Sequence, residues 1–208
     1  MAAVAPTRRR WTLANLPELP DDGRTYDILG GELVVRNVPN VNHSLALTEL
    51  FLLLGRAQEA GFGAVLTTVT AVALDYPERG EAAEDVSHPD LVFVRQERLE
   101  LLGWQAIEGP PDLVIEILSP GTLHEHRPGG KWWEAYARHG VPCYWLVDLA
   151  RRRILQYTLQ GEIYRPGRYG EPVTLQAEDT LSSPLFPGVE VPVARVFQRL
   201  RSGPGRKA

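Results

Sequence analysis

Glu116 is the residue of this sequence that most needs a chemical explanation, because it lies in the middle of an apolar run. Residues 113–118 read Leu-Val-Ile-Glu-Ile-Leu. A nearly continuous apolar run of this length is typical of a central β-strand. A carboxylate at its centre is costly to bury unless a metal, a cation or a proton compensates its charge. The sequence therefore predicts a functional site around Glu116.

A second carboxylate, Asp90, stands at the start of another apolar run, residues 91–94. Two carboxylates on adjacent strands would form an oxygen-rich site that suits Mg²⁺. Asp112 is the alternative partner, but four residues of strand place it about 13 Å from Glu116, too far for both to hold one ion. We expect Asp90 to join Glu116 and Asp112 to cap the start of its strand.

Lysine is almost absent from the chain: two of its 22 basic residues are lysines, Lys131 and Lys207, and the rest are arginines. Arginine can replace lysine where a positive charge suffices, but not where an ammonium must give up or share a proton. Lys131, which lies inside the expected fold, is therefore a candidate active-site cation. A surface lysine retained by chance explains the same composition equally well.

These residues belong to a set of motifs that resembles a known family. The motifs are Pro89-Asp90, residues 111–120, Lys131 with Tyr136, residues 140–148 and residues 26–34. They resemble the Uma-two-like restriction endonuclease family of the PD-(D/E)XK nuclease superfamily, over most of residues 12–190. The resemblance implies an α/β (α+β) fold, with a restriction-endonuclease-like mixed central sheet flanked by helices and with β-hairpin and meander additions.

The resemblance also implies an active site. Asp90, Glu116 and the backbone carbonyl of Ile117 would hold Mg²⁺ (or Mn²⁺), and a lysine would assist the hydrolysis. The usual position of that lysine, two residues after the glutamate, is Leu118 here, so the cation would come from the following helix as Lys131. The expected catalytic residues are Asp90, Glu116 and Lys131.

The spacing around that lysine departs from the family pattern. Lys131 precedes Tyr136 by five residues instead of four, and one position is about 100° of rotation on a helix. Tyr136, Glu32 and His43 are possible accessory residues. Glu32 either reaches the metal site or is solvated in a hairpin, and His43 either packs at the start of a helix or contacts substrate.

Local patterns predict the elements that must position these residues. Helices are expected at residues 12–19, from a cap at Asn42 to Gly61, in a short segment within 96–107, and at 131–139. Strands are expected in a hairpin over 24–36, in 63–75, at 90–94, 112–118 and 143–148, and in a meander over 153–175 that includes 162–165. Residues 77–87 are expected to form a loop, as is the Gly- and Pro-rich stretch 119–130. We expect a flexible segment at 1–11, one domain over 12–198 and a disordered tail at 199–208.

Composition limits the function classes. A net charge of −4 and a pI of about 5.8 exclude a protein that binds nucleic acid over its whole surface, but leave room for a local basic strip. Arg95, Arg98 and Arg127 are candidates to neutralise phosphates. His124 and His126 lack a partnering cysteine pair, so zinc is not expected.

The expected compartment is the cytoplasm. Cys143 is the single cysteine, lies in an apolar run and can form no internal disulfide, which suits a reducing environment. The arginines near the N-terminus are not followed by the apolar segment of a signal peptide. No stretch is long enough to span a membrane.

The sequence thus predicts a metal-dependent endonuclease that acts on DNA, and a homodimer, because enzymes that cut duplex DNA often present two sites and most oligomers are twofold symmetric. The rival is a catalytically inactive domain of the same fold that binds nucleic acid or a protein partner. Leu118 and the irregular spacing of Lys131 favour that rival. A carboxylate-only hydrolase of small molecules is a third possibility that no pocket motif supports.

Overall fold

The computed structural model describes residues 9–36, 39–67, 70–118 and 123–201. The helices are α1 (Val41–Glu59), α2 (Tyr76–Arg79), α3 (Leu123–His126), α4 (Lys131–Arg138) and α5 (Ala194–Phe197), with 3-10 turns at Leu13–Glu18, Gly80–Ala82 and Gln96–Leu101. The first strands are β1 (Tyr26–Leu29), β2 (Glu32–Val35), β3 (Gly63–Thr67), β4 (Ala71–Ala73), β5 (Val86–Ser87), β6 (Leu91–Arg95) and β7 (Ala106–Ile107). The later strands are β8 (Leu113–Ile117), β9 (Cys143–Asp148), β10 (Arg153–Gln160), β11 (Arg168–Tyr169), β12 (Val173–Leu175), β13 (Thr180–Leu181) and β14 (Val191–Pro192).

A mixed sheet forms the centre of the described chain, in the order β11-β10-β9-β8-β6-β3, with β12 also paired to β10. Its pairs are antiparallel except β8 with β9, which are parallel. In register, Ile117 lies beside Val147, and Ile115 lies between Leu91 and Trp145. The strands predicted at 112–118 and 143–148 are therefore neighbours, and their carboxyl ends meet at one edge.

Both faces of this sheet are covered, which explains the apolar run around Glu116. Helices α1 and α5 pack on one face with Leu113, Ile115 and Ile117. Helix α4 packs on the other face with Val114 and Leu118. Because side chains alternate along a strand, Glu116 projects to the α4 side.

A smaller sheet, in the order β2-β1-β5-β4-β7, lies beside the α4 layer and contributes Val72, Leu74 and Ile107 to the same core. Its hairpin β1–β2 is the one predicted over 24–36, and the turn uses Gly30 and Gly31, both with positive φ. Only glycine adopts such values without strain. The hairpin brings the end of β2 toward the central strands.

Helix α1 begins earlier than predicted. Asn40, rather than Asn42, is its N-cap, and the Asn40 side chain accepts a hydrogen bond from the backbone N–H of His43. The Asn42 side chain instead pairs with the backbone of Arg201. The prediction of the cap was wrong because a distant part of the chain satisfies Asn42.

Two further predictions of local structure were wrong. Residues 162–165 do not form a strand, because Tyr164 has a φ of 60°, which an extended strand excludes; the strand lies later, at β11. Residues 77–87 are more ordered than a loop, with a helical turn, a 3-10 turn and β5.

The ends of the chain contact the fold where they are described. Arg10 pairs with Glu84, and Arg199 pairs with Glu49. The rest of the predicted end segments, residues 1–8 and 202–208, and residues 119–122 of the predicted loop lie outside the described residues. Among the helices described, none has the length and apolar character needed to cross a membrane.

Candidate active site

Asp90 lies immediately before β6 and is almost fully buried. Its Oδ2 atom accepts two hydrogen bonds: one from the backbone N–H of Ile117 at 2.7 Å, and one from Nε2 of His43 at 3.0 Å. His43 comes from the first turn of α1, whose start is fixed by the Asn40 cap. Three separate elements therefore hold one carboxylate in place.

Glu116 is also almost fully buried, and each of its carboxylate oxygens has a different partner. Oε1 accepts a hydrogen bond from the Tyr136 hydroxyl at 3.0 Å, and Oε2 accepts one from Nη2 of Arg36 at 2.9 Å. Tyr136 lies on α4, on the face of the sheet to which Glu116 projects. The ring of His126 lies 3.9 Å from Oε1.

Arg36 follows β2 and extends into the gap between the two sheets. The Nη2 atom that contacts Glu116 is also 3.9 Å from Oδ1 of Asp90, and Nε is 3.9 Å from Oδ2 of Asp27. The Nη1 atom donates to the backbone carbonyl of His88. Asp27 in turn accepts hydrogen bonds from the backbone N–H of His88 and from its ring nitrogen. One guanidinium thus faces three carboxylates.

The hydrogen bonds leave one oxygen of each central carboxylate directed at the same point. Oδ2 of Asp90 and Oε1 of Glu116 are engaged by the surrounding protein, whereas Oδ1 and Oε2 both face the Nη2 atom of Arg36. The Arg36 guanidinium is thus the common partner of these two oxygens. Two carboxylate oxygens turned toward one point are also ligands that one divalent ion could share.

The pKa values of the two acids move in opposite directions. Burial alone would raise the pKa of Asp90, but the hydrogen bond from His43, the charges of His43 and Arg36 and the N–H of Ile117 outweigh burial and lower it. Burial raises the pKa of Glu116, and the charges of Arg36 and His126 offset this only in part. Glu116 therefore holds a proton more readily than Asp90 does.

The donor set fits a hard divalent cation. Mg²⁺ prefers carboxylate and carbonyl oxygens, and Asp90 and Glu116 each direct one carboxylate oxygen to the point that Arg36 occupies. Ile117 directs its N–H toward Asp90, and the carbonyl of a strand residue points to the same side as its N–H. Within the described ranges, however, no cluster of three or more His, Cys, Asp or Glu side chains has metal-binding geometry.

One known family matches most of the chain. The model of the family described as Uma2, putative restriction endonuclease, matches residues 13–194. The chain belongs to this family. No functionally curated protein matches the Uma2 chain significantly in sequence.

A solved structure confirms the fold of this Uma2 protein. It is the crystal structure of a putative nuclease belonging to DUF820 from Anabaena variabilis ATCC 29413, with a TM-score of 0.66 and 16% sequence identity, covering 90% of this chain and 97% of that one. At this identity the likeness concerns the fold alone. The predicted mixed sheet flanked by helices is confirmed.

In the structure of this Uma2 chain, most of the predicted site residues lie close together. Asp90 and Glu116 share Arg36 as a partner, His43 binds Asp90, and Tyr136 binds Glu116. His43 contacts Asp90 in the structure. This contact does not decide between the two predicted roles of His43, packing at the start of the helix and contact with substrate.

Lys131 is not brought to Glu116. Its ammonium pairs with Glu125 at 2.8 Å, and about a third of its side chain is exposed. Five residues of helix correspond to about 500° of rotation, so Lys131 and Tyr136, which contacts Glu116, lie on different sides of α4. Among the described residues, the cation that contacts Glu116 at hydrogen-bond distance is Arg36.

Asp112 and Glu32 are the other two acids of the Uma2 chain that the sequence suggested for the site. Asp112 accepts hydrogen bonds from the backbone N–H of Arg95 and from the Tyr164 hydroxyl, and pairs with Arg98. It lies at the entry of β8, but the backbone N–H that its side chain binds is at the end of β6, so capping of its own strand stays a prediction. Glu32 is exposed at the start of β2, four residues before Arg36.

Sequence reasoning missed four residues of the site: Asp27, Arg36, His88 and His126. Asp27 carried a signal, since it is a charge inside the apolar-rich strand Tyr-Asp-Ile-Leu, and such a charge needs a partner. His126 had been considered only with His124 as a zinc ligand. Nothing local distinguished Arg36 from the other arginines of the chain.

Proposed function

We propose that this protein is a metal-dependent endonuclease that hydrolyses phosphodiester bonds in DNA. Membership in a family described as restriction endonucleases supports nuclease chemistry in general. The single observation that carries the finer proposal is the orientation of the two acids. Oδ1 of Asp90 and Oε2 of Glu116 face one point, and their other oxygens are held by the protein.

In this proposal Asp90, Glu116 and the carbonyl of Ile117 hold Mg²⁺ or Mn²⁺. The bound ion would polarise the scissile phosphate and lower the pKa of the attacking water. His43 and the N–H of Ile117 fix Asp90, and the Tyr136 hydroxyl fixes Glu116. Phosphodiester hydrolysis needs mainly such positioning and electrostatic support, which buried, hydrogen-bonded acids provide.

Arg36 is the proposed cation of the site in place of Lys131. A guanidinium keeps its charge when buried and matches the geometry of phosphate oxygens. Burial would lower the pKa of Arg36, but the charges of Glu116, Asp27 and Asp90 outweigh burial and raise it. Arg36 therefore remains charged, and it is positioned to contact a phosphate bound next to both acids.

The test is incubation of the purified protein with plasmid and oligonucleotide DNA in Mg²⁺, in Mn²⁺ and in chelator. We expect cleavage with either metal and none with chelator. Glu116→Gln should abolish cleavage. Glu49→Gln is a matched control, because Glu49 is an equally buried glutamate that pairs with Arg195 and Arg199 at 3.4 Å, away from the site. Cleavage by Glu116→Gln at the normal rate contradicts the proposal.

One observation favours a second candidate, a nuclease-fold domain that binds nucleic acid or a protein partner without cutting. Arg36 occupies the place between the two acids, and an arginine there neutralises them without metal. If no metal binds in a calorimetric titration and no DNA is cut, this second function stands. We further propose that the protein acts as a homodimer.

A further inference from the structure

The carboxyl ends of β8 and β9 carry a cluster of arginines that the proposed active site does not use. Asp148 is the last residue of β9, one step beyond Val147, which lies beside Ile117. Because side chains alternate along a strand, Asp148 projects from the same face as Leu146, and Leu146 lies beside Glu116. The cluster around Asp148 is therefore on the same face and at the same end of the sheet as Glu116.

Three arginines share the single carboxylate of Asp148. Nη1 of Arg151 is 3.1 Å from Oδ2, Nε of Arg153 is 3.6 Å away, and Nη2 of Arg127 is 3.8 Å away. Only Arg151 is within hydrogen-bond distance of it. Asp148 is almost fully buried, whereas the three arginine side chains are each about a third or more exposed.

The arginine cluster is positively charged, whereas the whole chain has a negative net charge. One carboxylate balances one of the three guanidiniums, so the cluster keeps an excess of positive charge in a protein whose net charge is −4. The Nε atom of Arg153 is buried and has no hydrogen-bond acceptor among the residues that the structure describes. Glu171 lines the same cavity as Arg153 and offsets part of this charge, but the positive excess that remains favours an anionic partner.

The cluster is held in shape and joined to the site. Oδ1 of Asp148 accepts the backbone N–H of Arg151, which fixes the turn between β9 and β10. On the other side, Arg127 follows His126, whose ring is 3.9 Å from Glu116. Arg127 is therefore adjacent in sequence to a residue of the proposed active site, and the other two arginines extend the cluster away from that site.

We propose that Arg127, Arg151 and Arg153, arranged around Asp148, bind the backbone phosphates of a nucleic-acid strand beside the cleavage point. Arginine forms bidentate contacts with phosphate, and backbone contacts set the position of a protein on its nucleic acid. The inference rests on the proposed function for its substrate, but it assigns a separate surface. Asp148 serves as the organiser of this surface and does not itself contact phosphate.

Binding of fluorescein-labelled duplex DNA, followed by anisotropy in chelator so that no cleavage occurs, tests this surface. Arg151→Gln should weaken binding roughly fivefold to tenfold. It should also reduce the slope of log K against log salt by about 0.9, the effect of one lost phosphate contact. Arg127→Gln should act similarly. Thermal unfolding of each variant verifies that the fold is kept.

Arg138→Gln is the matched control. Arg138 is 54% exposed and lies 2.9 Å from Asp85, much as Arg151 is 56% exposed and lies 3.1 Å from Asp148. Helix α4 ends at Arg138, and the chain then enters β9 at Cys143, which is about 17 Å along the strand from Asp148. The control should bind DNA like the unmodified protein.

The outcomes separate this proposal from the proposed function. Equal losses in Arg151→Gln and Arg138→Gln, no loss in either, or no DNA binding by the unmodified protein would overturn the arginine surface. Normal affinity in Arg151→Gln together with metal-dependent cleavage overturns the surface and leaves the nuclease. Weakened affinity in Arg151→Gln, in a protein that never cleaves, supports the surface and contradicts the nuclease.

Discussion

The Nη2 atom of Arg36 lies 2.9 Å from Oε2 of Glu116, although the two residues are 80 positions apart in the sequence. The same nitrogen is 3.9 Å from Oδ1 of Asp90. These are the oxygens that no other described group holds at hydrogen-bond distance. Arg36 and a divalent ion would therefore interact with the same pair of carboxylate oxygens.

Arg36→Gln should be strongly destabilising in chelator, because it leaves two buried carboxylates without their cation. Removing one partner of a buried ion pair typically costs about 3–5 kcal/mol. Mg²⁺ should restore part of that loss, since the ion replaces the missing positive charge. Thermal unfolding with chelator and with Mg²⁺ measures both effects.

Arg98→Gln is the control for that experiment. Arg98 is 17% exposed and pairs with the buried Asp112 at 3.0 Å, whereas Arg36 is 18% exposed and pairs with the buried Glu116 at 2.9 Å. Both variants should lose stability, but only Arg36→Gln should gain more from Mg²⁺ than the unmodified protein does. An equal response to Mg²⁺ in both would contradict a metal site at these acids.

Tyr136→Phe should reduce cleavage more than stability. It removes the hydroxyl that fixes Oε1 of Glu116, at a cost of about 1.5–3 kcal/mol for one hydrogen bond to a carboxylate. Tyr169→Phe removes a comparable buried bond, to the carbonyl of Val141 at 2.9 Å, away from the acids. Initial cleavage rates at saturating Mg²⁺ should fall for Tyr136→Phe alone. Equal rates in the two variants would show that Tyr136 has only a packing role.

Lys131→Ala should cleave within about threefold of the normal rate, because the Lys131 ammonium pairs with Glu125 instead of Glu116. A partly exposed lysine also contributes little stability. Steady-state kinetics of plasmid nicking measure this. A loss of several orders of magnitude at unchanged metal affinity would mean that Lys131 leaves Glu125 and reaches the site when DNA binds.

Asp85→Asn should destabilise the fold at neutral pH and lose that effect in acid. Burial alone would raise the pKa of Asp85, but hydrogen bonds from His139 and from the N–H of Gly30, with the charges of His139 and Arg138, outweigh burial and lower it. A carboxylate with a lowered pKa in the folded state stabilises the fold above its unfolded pKa, about 3.9, and loses this contribution as the pH falls below that value.

The expected difference between Asp85→Asn and the unmodified protein is about 1.5–3 kcal/mol at pH 5 and above. It should shrink progressively below about pH 4. Urea unfolding across this range gives the values. A difference that stays constant down to pH 2 would exclude ionisation of Asp85 as its source.

The protein should form a homodimer in solution, since cutting both strands of a duplex is served by two sites related by a twofold axis. Light scattering coupled to size-exclusion chromatography at micromolar concentration gives the mass directly. The single-chain mass of 23.2 kDa is the result that would refute a dimer.

Local sequence was enough to predict the central strands and the two acids. A short apolar run flanked by Gly and Pro is typical of a strand that is buried on both faces of a sheet, so the sequence predicts strands at residues 112–118 and 143–148 without knowledge of their pairing. The same reasoning selected Glu116, because a charge inside such a run requires compensation. Strand geometry alone set Asp112 aside as a metal ligand, and in the structure its side chain binds the end of β6 and pairs with Arg98.

Only the tertiary structure decided which groups compensate those acids. Arg36, Asp27 and His126 reach Glu116 or its neighbours from separate elements, and no local pattern records a contact between residues that far apart. The direction of Lys131 likewise depends on how α4 rotates against the sheet, where one residue of spacing changes the side facing Glu116 by about 100°. Apolar periodicity is a property of neighbouring residues and can be read from the sequence. The charge balance of a buried site is a property of packing, and it exists only once the chain has folded.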